Sequence, residues 1–90
     1  EEMFALTSQL RRASLSIASN IVEGSARNSL SEYIHFLNIS YGSLKEVEYQ
    51  LTVAHRLGYI SQNEYNPLKS QCIETTRVLG SLIKSLKTKT

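Results

Sequence analysis

The sequence predicts an all-α protein on three observations. Apolar residues recur at spacings of three and four along three long segments, residues with cap and stop chemistry punctuate them, and proline appears only once. Ninety residues make one domain, over 1–90, whose single core is marginal unless its helices are long or its subunits associate.

The first helix is expected over about residues 6–23. Leu6, Leu10, Ala13, Ile17 and Ile21 follow at spacings of four, three, four and four, the repeat of a face turned toward a core, and Gly24 supplies a stop. Arg12, Ser16, Asn20 and Glu23 form a polar strip beside that face. At about 1.5 Å rise per residue, Arg12 and Glu23 stand roughly 16 Å apart along the axis and cannot pair. The partner of Arg12 is therefore expected to be a carboxylate from another helix or subunit, and Arg12, Asn20 and Glu23 are read as structural. Leu15, Ala18 and Val22 make a second apolar patch that a helix packed on one face would not need.

The second helix is expected over 29–58, with Ser29 and Glu32 at the spacing of a capping box and Gly58 as a left-handed stop. Its main stripe collects Leu30, Tyr33, Ile34, Leu37, Tyr41, Leu44, Val47 and Leu51. Ile39, Val53 and Leu57 lie opposite, among Glu32, Glu46 and Gln50, and are read as part of a subunit interface, the plain alternative being scattered surface residues.

The third helix has two possible starts. Ser61 and Glu64 have capping-box spacing, but Pro67 would then fall inside the helix and cost a hydrogen bond. Asn66 as cap with Pro67 at the first helical position avoids the conflict and predicts a helix over about 66–87, with 61–65 as a separate turn, although a kinked continuous helix stays open. Leu68, Cys72, Thr75, Leu79, Leu82 and Leu86 form its stripe, with Arg77, Lys84 and Lys87 on the other side and fraying from Thr88 to Thr90.

No apolar run approaches eighteen residues and no secretory pattern opens the chain, so a cytoplasmic protein without membrane association is expected. The single cysteine, Cys72, forms no internal disulfide and is read as a small buried thiol. Glu32 and His35 make a Glu-x-x-His step, but a di-metal bundle site needs a second such step, and His55 has Thr52 three residues before it. Thirteen serines offer nucleophiles, yet there is no aspartate and no glycine-rich elbow. Glu48 and His55 are read as partly buried polar residues, and Asn38-Ile39-Ser40, a glycosylation pattern, falls in mid-helix. The expectation is a protein with no enzymatic activity, metal or cofactor.

Charge is unevenly placed. Through Glu74 there are six basic and eight acidic residues, a balance of −2, whereas the remainder holds Arg77, Lys84, Lys87 and Lys89 with no acid, a balance of +4. Phosphate binding without sequence preference needs several cations on one surface. A solvated basic helix end is the plain alternative.

Residues spread along the chain resemble a known family. They are Leu6-Thr7, Gln9-Leu10, Arg12-Ala13, Ser16-Ile17, Asn20-Ile21 and Glu23-Gly24, followed by Arg27, Ser29, Glu32-Tyr33, Phe36-Leu37, Gly42-Ser43-Leu44, Glu46 and Leu57-Gly58-Tyr59-Ile60. The chain is similar to the four-helix-bundle family whose founding members are encoded within intervening sequences of bacterial 23S ribosomal RNA genes. The resemblance implies an up-and-down antiparallel four-helix bundle, ring-shaped pentamers, and kinship with the accessory protein of diversity-generating retroelements, which binds nucleic acid and a reverse transcriptase. Members carry a further long helix before the position of Phe4, so three of four helices are expected here. The resulting reading is a ring-forming module that binds RNA or DNA through Arg77, Lys84 and Lys87, with Arg27 and Arg11 contributing. The alternative is a protein-interaction scaffold without nucleic-acid contact of its own.

Overall fold

Three helices follow in chain order, α1 (Glu2–Ser25), α2 (Leu30–Arg56) and α3 (Gln62–Lys87). The computed structural model describes residues 2–89 and, within α1, the side chains of Ala5, Ser8 and every residue from Leu10 on. The Leu6 side chain and Thr90, both named from sequence, lie outside the described residues. No strand occurs among the described residues.

α2 is the middle helix. It packs against both neighbours, while the α1 and α3 backbones do not approach each other among the described residues. The contacts are antiparallel: the Ser40 hydroxyl donates to the Ile17 carbonyl at 3.2 Å, and Gly24 sits against Tyr33 and Phe36. On the other flank Tyr65 meets Thr52, and Gly80 meets Tyr41. The Cα atoms span 45 × 20 × 14 Å, the elongated shape of helices packed along one another.

The core runs along α2 in two clusters. Ile34, Leu37, Leu44, Leu79 and Ile83 form one, backed by Ile17, Ile21, Leu30, Tyr33, Tyr41 and Leu86. Val47, Leu51, Ala54, Ile60 and Tyr65 form the other, backed by Leu10, Ala13 and Cys72. The stripe expected on α2, and the α1 stripe from Leu10 to Ile21, thus face the core.

The ends of α2 obey their local chemistry. Ser29 caps the start by accepting from the Glu32 backbone N–H at 3.1 Å. Past Leu57 the chain turns at Gly58, with φ at 81°, and the Tyr59 and Gly58 N–H groups return to the carbonyls of Ala54 and His55. That pair of bonds is a Schellman stop, for which glycine bears the left-handed residue without strain.

Two expectations for α1 and α3 are corrected. Gly24 does not stop α1, which continues through Ser25. The glycine is needed for close approach: a Cβ there would lie 2.7 Å from the Phe36 Cβ. α3 begins at Gln62, with Ser61 as cap, and carries Pro67 inside the helix. The Ser61 hydroxyl accepts from the Glu64 N–H at 3.1 Å, and the Glu64 carboxylate accepts from the Ser61 N–H at 2.8 Å. These two bonds offset the single bond that Pro67 removes, and the early start places Tyr65 in the core.

The buried face of α3 is also rotated from the expected stripe. Tyr65, Thr76, Leu79 and Ile83 are buried, whereas Leu68 and Leu82 are 40% and 38% exposed. α3 leans on α2 alone, and Leu68 and Thr75 turn instead toward the open side. There Leu10 and Ile17 of α1, Leu44, Val47 and Leu51 of α2, and Leu68 and Cys72 of α3 line an apolar groove of about 320 Å3.

The capping box makes α3 sensitive to acid. Hydrogen bonds from Ser61, the backbone one foremost, hold the Glu64 carboxyl below its ordinary value of 4.5. A depressed carboxyl contributes stability that is present above the unfolded value and is lost as pH falls through the folded one. Glu64→Gln keeps a carbonyl acceptor, so its unfolding midpoint in urea should fall less than the wild type's between about pH 6 and pH 3. Parallel profiles would show that the box contributes nothing to pH dependence.

Candidate nucleic-acid interface

The hairpin between α1 and α2 and the last turns of α3 share one end of the molecule, because each helix runs antiparallel to the next. This end collects Arg27, Lys84, Lys87 and Lys89, all exposed. Lys84 and Lys87 fall in the last turn of α3, where cations also complement the helix dipole. Arg27 is held in place: its guanidinium pairs with Glu23 at 3.3 Å and lies 5.1 Å from the centre of the Phe36 ring. Both partners of that pair are about half exposed, so it orients Arg27 more than it stabilises the fold.

The other cations named from sequence lie apart from this end. Arg77 pairs with Glu74 one turn before it on α3 and lies two turns back from Lys84. The hydrogen bond to Arg77 holds the Glu74 carboxyl below its ordinary range. Arg11 sits on α1 sixteen residues before Arg27, roughly 24 Å along the helix axis. Arg12 is exposed and has no ion pair among the described residues. The strip it belongs to is tied locally, with the Asn20 amide donating to the Ser16 carbonyl at 2.9 Å and Glu23 taken by Arg27.

The apolar residues assigned to subunit contacts are mostly in solvent. Leu15 and Val22 on α1 are 64% and 68% exposed and, with Ala18 and Ala26, line a shallow depression. On α2, Ile39 and Leu57 are exposed, while Val53 is half-buried, with Tyr49 and Leu57 one turn away on either side. Tyr49, 69% exposed on that same outer face, escaped the sequence reading because its neighbours Glu48 and Gln50 are polar.

A polar cluster between α2 and α3 also escaped it. The Tyr65 ring stacks on His55 at 4.3 Å with the planes 5° apart, its hydroxyl lies 3.0 Å from the Thr52 hydroxyl, and the Lys69 ammonium stands 5.4 Å from the ring centre. Hydrogen bonds from Thr52 and then Lys69 draw the Tyr65 hydroxyl below its ordinary pKa. Burial, then the Glu48 charge, pushes the Cys72 thiol up and away from the reactive thiolate. The cluster completes the packing of α3 on α2. Among the described residues no group of three His, Cys, Asp or Glu side chains is placed to hold a metal, and no helix is long and apolar enough to cross a membrane.

Fold and surface together define an all-helical bundle protein with one basic end and unpartnered apolar faces. The chain belongs to the 23S rRNA-intervening sequence protein family, whose profile matches residues 1–81. It is similar to a crystal structure of a protein of unknown function from the S23 ribosomal protein family of Bacteroides thetaiotaomicron VPI-5482, at 32% identity over 88% of this chain and 73% of that one, with a TM-score of 0.81. No match occurs among curated proteins.

Proposed function

We propose that this chain is a non-enzymatic nucleic-acid-binding or accessory module of the cytoplasm that works as a ring-shaped homo-oligomer, a pentamer, and docks a partner protein such as a reverse transcriptase. The observation that carries the nucleic-acid reading is the gathering of Arg27, Lys84, Lys87 and Lys89 at one end, where Glu23 is engaged by Arg27 and Glu32 by the Ser29 cap. Four cations per chain are few for a monomer, but five chains in a ring would present about twenty on a common field. The exposed faces at Leu15 and Val22 and at Ile39, Tyr49 and Leu57 support assembly, since burying them contributes about 25 cal/mol per Å2 of apolar area before association costs. The same faces support the alternative, a scaffold that holds a protein partner and touches no nucleic acid.

Replacing Arg27, Lys84 and Lys87 together by Gln should leave helicity and oligomer mass unchanged while flattening the slope of log affinity against log salt. Arg77→Gln should change that slope less than Lys84→Gln does, because Arg77 stands two helical turns back from the basic end. If the triple variant keeps the whole slope, the basic end is a solvated surface and the scaffold reading stands in its place.

A further inference from the structure

Between α2 and α3, Asn38, Tyr41, Gly80, Lys84, Lys87 and Thr88 line a cleft of about 420 Å3 at the basic end, within the size range of small-ligand sites. We propose that this cleft receives an unpaired base of single-stranded nucleic acid, the base lying against the Tyr41 ring and its flanking phosphates reaching Lys84 and Lys87. The inference rests on the nucleic-acid reading and adds to it a preference for single strands.

The cleft combines the three chemistries that an unstacked nucleotide requires. Tyr41 is a half-buried ring, and every base has a face that can lie on one. Gly80 keeps the α3 wall low beside it: a Cβ at that position would stand 3.3 Å from Tyr41 Cε2. A glycine weakens a helix interior, and this one, with no side chain, borders the cleft beside the ring. Asn38 is exposed at the rim, with an amide that both donates and accepts toward a base edge. Complementing the dipole at the end of α3 requires the lysines but neither the ring, the amide nor the glycine. A duplex keeps its bases stacked and paired, so only its phosphates could reach this end, whereas a single strand can splay one base inward.

The test compares a labelled single strand, a ~15-nucleotide oligothymidylate, with a duplex of the same length by fluorescence anisotropy on the full chain, at matched salt. The single strand should bind about tenfold tighter. Gly80→Leu, which fills the cleft and keeps every cation, should reduce single-strand affinity to the duplex level without changing the salt slope. Asn38→Leu, at an exposed position that tolerates substitution, should weaken the single strand in the same direction and serves where Gly80→Leu does not fold. Tyr41→Phe retains the ring and should retain the preference. Equal affinity of the wild type for the two probes, or a preference that survives the filled cleft, overturns the inference while leaving the phosphate contacts in place. Failure of the wild type to bind either probe overturns both.

Discussion

Leu37→Ala is expected to lower the unfolding free energy by about 3 kcal/mol, inside the roughly 2–5 kcal/mol range of buried leucine truncations. Leu37 has no exposed surface and belongs to the cluster of Ile34, Leu44, Leu79 and Ile83, to which both α2 and α3 contribute. Its truncation opens a cavity at the point where α3 is held, and α3 has no second helix to lean on among the described residues. Proteins of this size have on the order of 5–15 kcal/mol to lose, so the variant should unfold at a much lower urea concentration. Leu15→Ala, at a side chain 64% exposed, should change monomer stability by less than about 0.5 kcal/mol. A loss under about 1 kcal/mol for Leu37→Ala would show that the cluster is not the core.

The second large effect divides two helical glycines. Gly24→Ala should destabilise by about 1–3 kcal/mol despite the better helix propensity of alanine, since the added Cβ would meet the Phe36 Cβ at 2.7 Å and the Tyr33 ring at 3.0 Å. A Cβ cannot swing aside as a side-chain end can, so the helices must separate. Gly42→Ala meets nothing within 4 Å and should stabilise the folded chain by up to about 1 kcal/mol. Gly42 lies on the outer face of α2 with Ile39 and Tyr49, three and seven residues away on the same helix. Urea unfolding and light scattering on both variants separate the outcomes. If Gly24→Ala is neutral, α1 and α2 do not approach as closely as described.

The pattern of legibility follows from the range of the forces involved. Ser29, Ser61 and Gly58 act within a few residues, and their cap and stop chemistry was readable along the chain. The start of α3 is not legible locally, because what offsets the single bond lost at Pro67 includes the burial of Tyr65, which depends on Thr52 and His55 across the helix pair. The stripe on α3 was offset because the sequence shows all the apolar positions, including Leu68 and Leu82, and cannot show which neighbour each one meets. Gly24 reads as a stop for the same reason: the Tyr33 and Phe36 side chains that require it are nine and twelve residues away. At the basic end, Lys84 and Lys87 were visible as a local charge excess. Only the antiparallel hairpin shows that Arg27 joins them and that Arg11 does not. The cleft beside Tyr41 had no sequence signal, since Asn38, Gly80 and Lys84 come together solely through the packing of α3 on α2.

The most direct measurement is the affinity of the full chain for a short RNA or DNA duplex between about 50 and 200 mM salt, read with the oligomer mass at each point. A basic ring end that makes six or more phosphate contacts should lose about a thousandfold in affinity over that interval while the mass stays constant. No binding at about 50 mM salt, or an affinity that does not change with salt, would contradict it.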